Sequence, residues 1–399
     1  MLRRLHVERY RCFDMINLDL RCPEKPGGGW TVLVGENGTG KSSLLQAIVL
    51  GLMDPRPLTA LNSTPWLMCR QGEPDGSKAL IEVEVETEST RALYGKTVAN
   101  TAGSYIDEVG EHVPDLPLMV AFSARRRIAK PGELPESGNR EVERVRGLFD
   151  PNLPLLAHDA FADLKTVPEK RAFAKVVRDV IVRQLDSGEK MFPLVDAVEL
   201  RGSGGVTTNA QLLEQDRFGL LYGETYQARV AVEDLSDGYQ ALLTIVLEIL
   251  VQATLANHVV PRPETLRAIV LVDELEAHLH PRWQRSVIPL LREVFPQCQF
   301  IVTTHSPLVV GSAEPGEVQV LEIRESGDVS VEVLDERLQA LDADEIYDAV
   351  FGVPRAATDE YVAMERAYAG AVAARREPDP EIARLLEDAW AGRKGLVGE

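Results

Sequence analysis

The sequence uses little cysteine and shows no pairing pattern for it. Its four cysteines, Cys12, Cys22, Cys69 and Cys298, are scattered over 399 residues, and no C-x-x-C pair occurs. Sparse, unpaired cysteine is typical of a reducing compartment and supplies no ligand set for structural zinc. The sequence therefore gives no reason to expect a fold held by disulfides or by zinc.

The sequence also shows no clear membrane or targeting segment. We expect no apolar run to approach the ~20 residues that a membrane-spanning helix needs. The start of the chain, MLRRLHVERYRCF, alternates charged and apolar residues and resembles neither a signal peptide nor a transit peptide. These absences predict a cytoplasmic protein with no membrane partner.

The sequence has fewer basic residues than acidic residues. The chain has 43 Lys and Arg against 62 Asp and Glu, and its formal net charge is -19. This balance argues against a protein whose whole surface attracts nucleic acid. The one dense basic candidate is Arg125-Arg126-Arg127 with Lys130. It could be a local nucleic-acid patch, a solvated loop, or an arginine that faces a bound nucleotide.

What the sequence does contain is a phosphate-binding motif. Residues 35–42 (GENGTGKS) fit G-x-x-x-x-G-K-[ST] at every fixed position, after an apolar strand pattern at 31–34 and before an apolar helical stretch at 44–52. Glycines in such a loop let backbone N–H groups point at phosphate oxygens, and the following helix adds its positive N-terminus. Lys41 would contact the β- and γ-phosphates and Ser42 would bind Mg²⁺. The motif predicts a nucleoside triphosphate site.

Two further strand patterns end in polar residues. Residues 268–272 are apolar and precede Asp273 and Glu274, and residues 299–303 precede a polar cluster that contains His305. In a parallel α/β sheet, ligand chemistry lies at the carboxyl ends of the strands. We expect Asp273 beside the Mg²⁺, and Glu274 to orient the attacking water or accept its proton. A lone histidine at a strand end is more often structural. His305 gains weight because its strand would lie next to the one that ends at Asp273.

A third motif opens a long helical pattern. Residues 235–240 (LSDGYQ) precede apolar periodicity that continues through residue 250. Ser236 and Asp237 are favourable helix N-cap types. Capping explains the serine but not the whole set of Leu-Ser-x-Gly-x-Gln.

Taken together, the motifs resemble a known family. The phosphate loop, LSDGYQ, the strand ending in Asp273 and Glu274, and TTHSP at 303–307 occur in the order of ABC-type ATPase heads. RYRCF, INLDL and LVGENGTGKSSLL resemble the SMC/RecF/OLD branch. The segment DELEAHLHPRWQRSVIPLLREVFPQCQFIVTTHSPLVV is similar to the small bacterial Septu-like (PtuA-type) anti-phage ATPases. The specific part of the resemblance covers residues 1–50 and 233–310.

The resemblance implies the architecture. The expected fold class is α/β: a P-loop ABC-type ATPase head with N-terminal antiparallel strands and an inserted, mainly helical lobe. Residues 1–129 would form the first part of the head, 130–230 the lobe, and 231–312 the second part. Helical patterns at 140–148, 159–164 and 169–185 favour the helical lobe. Residues 313–399 would form a C-terminal hairpin, at 317–334, and a helical tail.

The resemblance also implies the site. Two heads would pair head to tail around two ATP molecules, with Ser236 and Gly238 reaching the γ-phosphate from the other subunit. Glu274 is the expected general base, His305 the γ-phosphate sensor, and Ser42 and Asp273 the Mg²⁺ ligands. The residues expected to contact ATP are Arg11, Asn37, Gly38, Thr39, Gly40, Lys41, Ser42, Ser43, Ser236 and Gly238.

The chain departs from the family at one contact. The usual Mg²⁺-contacting glutamine after the buried middle strand is not evident, and Ser123 or Arg125 would occupy its neighbourhood. His278 and His280 could suggest a metal site, but the family places this stretch at the dimer contact, so no metal is expected there.

The leading hypothesis for function is an ATP-gated dimeric clamp or sensor in anti-phage defence. It would act with a separate nuclease or other effector chain, with DNA contact and a higher oligomer left open. The alternative is a RecF-like repair or recombination ATPase that binds DNA directly. A transporter ATPase subunit, which would couple through the missing glutamine, fits the sequence least.

Overall fold

The structure is a computed structural model. It describes residues 1–20, 29–53, 77–86, 91–99, 106–110, 116–126, 140–150, 152, 167–181, 183, 188, 195–201, 217–222, 229–231, 236–257, 259–352, 359–373, 376 and 378–386. The chain divides into two compact units, Met1–Leu341 and Asp342–Glu399.

The strands are β1 (Leu2–Tyr10), β2 (Phe13–Asp19), β3 (Gly29–Gly35), β4 (Lys78–Glu86), β5 (Arg91–Ala99), β6 (Ile106–Gly110), β7 (Leu118–Phe122), β8 (Val195–Arg201), β9 (Arg217–Tyr222), β10 (Arg229–Ala231), β11 (Ala268–Val272), β12 (Gln299–Thr303), β13 (Val318–Ile323) and β14 (Val329–Leu334). The helices are α1 (Lys41–Leu52), α2 (Arg140–Arg146), α3 (Val167–Ile181), α4 (Asp237–Asn257), α5 (Pro281–Val294), α6 (Pro307–Val310), α7 (Ala343–Phe351) and α8 (Asp359–Ala373).

A six-stranded sheet forms the centre of the first unit. Its order is β14-β13-β3-β12-β11-β7, and every neighbouring pair is parallel except β13 with β14. Every residue of β3, β11 and β12 is buried, as expected for parallel strands that are covered on both faces. The parallel arrangement brings the carboxyl ends of β3, β11 and β12 to one edge.

The N-terminal strands form a second, antiparallel sheet of order β2-β1-β4-β5-β6. Helix α1 packs against strands of both sheets, and its apolar residues belong to one core cluster with β1 and β4. Contact is close at Gly51, where an added Cβ would lie 2.6 Å from Val83 Cγ2. The predicted α/β fold with N-terminal antiparallel strands is therefore present.

Two buried glutamines join the sheets through main-chain contacts. Gln299 on β12 donates from Nε2 to the carbonyl oxygens of Leu2 and Leu20, both at 2.9 Å, and accepts from the Leu2 N–H at 2.7 Å. Gln319 on β13 donates to the carbonyl oxygen of Asp19 at 2.6 Å. Because the main-chain groups of Leu2 and Leu20 are buried, Gln299 satisfies hydrogen bonds that water cannot reach.

The inserted region holds more than helices. Its described part contains α2 and α3 together with a three-stranded antiparallel sheet of order β10-β9-β8. Strand β8, Val195–Arg201 (VDAVELR), lies in the span that was expected to be mainly helical.

The hairpin expected near residues 317–334 is β13–β14. It turns at Gly327, whose φ is 84°. The hairpin extends the central sheet, because β13 lies parallel to β3. The second unit begins with α7, where Asp342 and Glu345 form a reciprocal capping box.

One expectation about apolar runs is wrong. Helix α4 has 21 residues and a mean hydropathy of 1.6 over its most apolar window, so by length and composition it could cross a membrane. However, 78% of that window is buried inside the protein. A long, uniformly apolar helix is also what a helix surrounded by a protein core requires.

We expect Gln299→Ala to lower the free energy of unfolding by about 3 kcal/mol, because it leaves three buried main-chain groups without partners. Gln297→Ala, two residues earlier on the same segment, is the matched control. Urea denaturation of both variants measures the difference. Equal unfolding midpoints would show that Gln299 does not join the two sheets.

Candidate functional site

The phosphate loop connects β3 to α1 with three glycines in positive-φ backbone. Gly35, Gly38 and Gly40 have φ values of 148°, 89° and 90°. An added Cβ on Gly35 would lie 2.4 Å from the Leu321 carbonyl oxygen, and on Gly40 it would lie 2.3 Å from Phe13 Cζ. The loop therefore needs glycine both for its backbone conformation and for its close contacts.

Lys41 is folded over this loop. Its ammonium donates to the carbonyl oxygens of Gly35 and Glu36, both at 2.8 Å, and only 6% of the residue is exposed. Burial lowers the pKa of Lys41, and the nearby carboxylates of Asp273 and Glu274 oppose that shift. The lysine lies in a cavity of about 350 Å³. The cavity is lined by Arg11, Cys12, Asn37, Gly38, Gly40, Lys41, Ser42, Ser43, Asp273, Glu274, Thr303 and His305.

A chain of hydrogen bonds links the loop to the ends of β11 and β12. Ser42 Oγ donates to Asp273 Oδ1 at 2.9 Å, and Thr303 Oγ1 donates to the same oxygen at 2.6 Å. Thr303 Oγ1 also accepts from the Glu274 N–H at 2.8 Å. Glu274 has a φ of 48°, and its side chain is exposed. These contacts place both predicted carboxylates at the phosphate loop.

His305 also lines the cavity. Its main-chain N–H donates to Glu276 Oε1 at 2.6 Å. Burial and the neighbouring Lys41 ammonium lower the pKa of the imidazole, against the raising effect of nearby carboxylates. The neutral imidazole is therefore favoured at neutral pH, with one ring N–H available to donate.

The turn between β1 and β2 supplies a further wall. Arg11, with a φ of 51°, donates from Nη1 to Ser43 Oγ at 3.0 Å. Thr39 is buried and donates to the Glu36 carbonyl oxygen at 2.9 Å, so its hydroxyl supports the loop from behind. Asn37 lines the cavity with Gly38.

Ser236 and Gly238 do not line this cavity. They lie at the N-terminus of α4, where Ser236 is exposed, while Leu235 falls outside the described residues. An added Cβ on Gly238 would lie 2.7 Å from the His278 carbonyl oxygen. Tyr239 packs edge-on to Trp283 with ring centroids 4.4 Å apart.

The residues suggested for the missing glutamine lie elsewhere. Ser123 Oγ donates to the Arg125 carbonyl oxygen at 3.1 Å, and Arg125 is exposed and donates to Asn152 Oδ1 at 3.2 Å. Neither residue lines the cavity. Arg126 instead turns inward to the loop after β11.

Sequence reasoning gave no role to three residues at or next to the site: Thr303, Cys12 and Glu276. A third carboxylate in Asp273-Glu274-Leu275-Glu276 and a threonine closing a buried strand were available signals. Cys12 had no distinguishing pattern. Arg126 belongs to the basic run Arg125-Arg126-Arg127, which could have supplied an arginine facing the nucleotide, but the structure turns it to main-chain carbonyls.

Two oxygen atoms at the phosphate loop are suitable ligands for Mg²⁺. Ser42 Oγ and Asp273 Oδ1 are hard oxygen ligands 2.9 Å apart at the mouth of the phosphate loop. Magnesium is usually held by one or two such protein oxygens together with phosphate oxygens and water. Among the described residues no group of three or more His, Cys, Asp or Glu side chains could hold a metal. His280 Nδ1 instead accepts from the Arg282 N–H at the start of α5.

Together the sheets and the phosphate loop give an SMC head-like α/β fold with a nucleotide-binding loop. Residues 122–311 match the family described as "AAA domain, putative AbiEii toxin, Type IV TA system", and residues 4–108 match "AAA domain". The solved SMC head bound to the C-winged helix domain of ScpA has a TM-score of 0.50 and 15% identity, covering 85% of this chain and 99% of that one. This likeness shows the shared fold.

Among named proteins, the chain is similar to Septu protein PtuA of Bacillus mycoides, with 26% identity over 329 residues, 80% of this chain and 40% of PtuA. It is also similar to the Retron Ec83 probable ATPase of Escherichia coli, with 39% identity over 92 residues, 23% of this chain and 17% of the relative. The chain thus spans less than half the length of these relatives. The resemblance to SMC-like ATPases near the Septu group is confirmed.

We expect Gly40→Ala to destabilise the chain by about 2 kcal/mol more than Gly38→Ala in the absence of nucleotide. The two glycines have nearly equal φ values, but only at Gly40 would a Cβ meet buried Phe13, while at Gly38 no atom lies within 4 Å. Thermal unfolding compares the variants. Equal losses of stability in the two variants would mean that Gly40 is not in close steric contact with Phe13.

Proposed function

We propose that this chain binds ATP in the cavity above the phosphate loop and hydrolyses its γ-phosphate. The observation that carries the proposal is the meeting of Lys41, Ser42, Asp273, Glu274 and His305 at one cavity. These residues come from the ends of two strands and the start of a helix, and together they provide phosphate binding, an acidic group and a neutral imidazole.

Each residue has a role that its surroundings support. Lys41 would exchange its contacts with loop carbonyls for the β- and γ-phosphates, and the α1 N-terminus would add positive potential. Mg²⁺ bound by Ser42 and Asp273 would neutralise charge on the phosphate oxygens. Glu274 is exposed at the cavity mouth, where it can accept a proton from the attacking water. His305 would donate a hydrogen bond to the γ-phosphate.

The site would be completed by a second copy of the chain. Ser236 and Gly238 lie outside the cavity of their own subunit, yet Ser236 is exposed at the start of a 21-residue helix. Backbone N–H groups at such a terminus are suited to a phosphate. In a head-to-tail homodimer each α4 N-terminus would face the other subunit's γ-phosphate, so that ATP stabilises the closed pair.

For the biological role, we propose an ATP-gated regulator in cytoplasmic anti-phage defence. The similarity to proteins named Septu PtuA and retron ATPase supports this role. A separate nuclease or other effector protein would act on the target. DNA contact and assembly beyond a dimer would be properties of that larger complex.

We expect Glu274→Gln to bind ATP with near-wild-type affinity, to hydrolyse it at least 100-fold more slowly, and to accumulate as a dimer. Lys41→Ala is the matched control, because it should lose nucleotide affinity and remain monomeric with ATP. Calorimetry gives the affinities, and size-exclusion chromatography with and without Mg·ATP gives the assembly state.

Two results would contradict the proposal. ATP affinity unchanged in Lys41→Ala would remove the phosphate-loop assignment. A Glu274→Gln variant that stays monomeric with saturating ATP would remove the dimeric clamp.

A further inference from the structure

Arg126 makes an unusual set of contacts for a buried cation. Only 4% of the residue is exposed. Its Nη1 donates to the Asp273 carbonyl oxygen at 3.2 Å. Its Nη2 lies within hydrogen-bond distance of the carbonyl oxygens of Glu274 at 2.9 Å, and of Leu275 and Ala277 at 3.2 Å each. One guanidinium therefore holds four main-chain carbonyls of the loop that follows β11.

The guanidinium suits this task because its donors lie in a rigid planar fork. Burial lowers the pKa of Arg126 to about 10, while the carboxylates of Glu276, Asp273 and Glu274 raise it, so the group stays charged at neutral pH. A lysine at this position would keep the charge but could not span the same carbonyls.

The loop needs such support because its backbone is strained. Glu274 has a φ of 48° and His278 a φ of 66°, and left-handed backbone is unfavourable for a residue with a side chain. The strained position belongs to the proposed general base. Without an outside constraint the loop would relax toward ordinary backbone and turn the Glu274 carboxylate away.

The same loop also reaches the sensor histidine. Glu276 accepts from the His305 N–H at 2.6 Å, and the Glu274 N–H donates to Thr303, two residues before His305. The backbone that Arg126 fixes therefore carries Glu274 directly and holds His305 through Glu276.

We propose that Arg126 is a positioning residue for ATP hydrolysis: its guanidinium fixes the loop after β11 so that Glu274 and His305 face the γ-phosphate together. This inference rests on the proposed ATPase function. Arg126 does not line the cavity, so it affects the rate only through the loop.

The test compares Arg126→Lys with Arg125→Lys. The neighbouring Arg125 is exposed and contacts Asn152, outside the cavity, so it is a control for the same change in chemistry. We expect Arg126→Lys to lower kcat about 10- to 100-fold, the loss that misplacement by about 1 Å can cause. Its affinity for Mg·ATP should stay within about threefold of wild type, because the contacts of Lys41 and Ser42 remain.

A second readout follows the loop itself. Amide hydrogen exchange of residues 273–278 should be faster in Arg126→Lys than in Arg125→Lys, while exchange in β3 and α1 should not change. If Arg126→Lys unfolds at the assay temperature, Arg126→Gln measured at about 10 °C provides the same comparison with a neutral donor.

The outcomes separate the inference from the function on which it rests. Equal kcat values and equal loop exchange for the Arg126 and Arg125 variants, with active wild type, would overturn only the inference. Proportional loss of kcat, affinity and thermal stability in Arg126→Lys would also overturn it, since that pattern indicates a general structural role. A wild-type chain that binds ATP without hydrolysing it would overturn the proposed function and the inference with it.

Discussion

The site depends on the parallel register of β3, β12 and β11. Val272 pairs with Val302, and Thr303 pairs with Leu33, so the three strands end together beneath the phosphate loop. In this register the Asp273 carboxylate receives hydrogen bonds from Ser42 and Thr303 at once. A slip of one residue would turn the strand side chains to the opposite face and separate these partners. The buried, apolar faces of the strands make that slip costly.

Buried polar side chains then fix the segments that the sheet itself does not hold, by donating hydrogen bonds to their main-chain carbonyls. Gln299 joins the N-terminal strands to the parallel sheet, and Arg126 holds the loop that carries Glu274. Such groups are stabilising only when their hydrogen bonds are satisfied, and each loses that benefit if one partner is removed. Gln299 therefore ties the N-terminal strands to the sheet, and Arg126 ties the loop after β11 to the segment that follows β7.

Local patterns predicted much of this arrangement. The strand, glycine loop and helix around Lys41 are contiguous in sequence, and the carboxyl-end rule predicted Asp273 and Glu274 near Ser42. The basic run that contains Arg126 was visible in the sequence, but the role of Arg126 was not, because main-chain carbonyls as partners leave no residue signature. The sheet formed by β8, β9 and β10 lies in a region where helical periodicity was the stronger signal. Helix α4 shows that a long apolar run predicts a buried helix, but it does not distinguish burial in a protein core from burial in a membrane.

The central claim is that each nucleotide site takes Lys41 from one chain and Ser236 from another, and complementation between two inactive variants tests it most directly. Lys41→Ala and Ser236→Arg should each be inactive alone, since Lys41→Ala loses nucleotide affinity and every site of a Ser236→Arg pair is defective. Mixed in equal amounts, they should recover up to about half of wild-type ATPase activity, because each mixed pair has one intact site out of two. A mixture as inactive as its components would contradict the shared site.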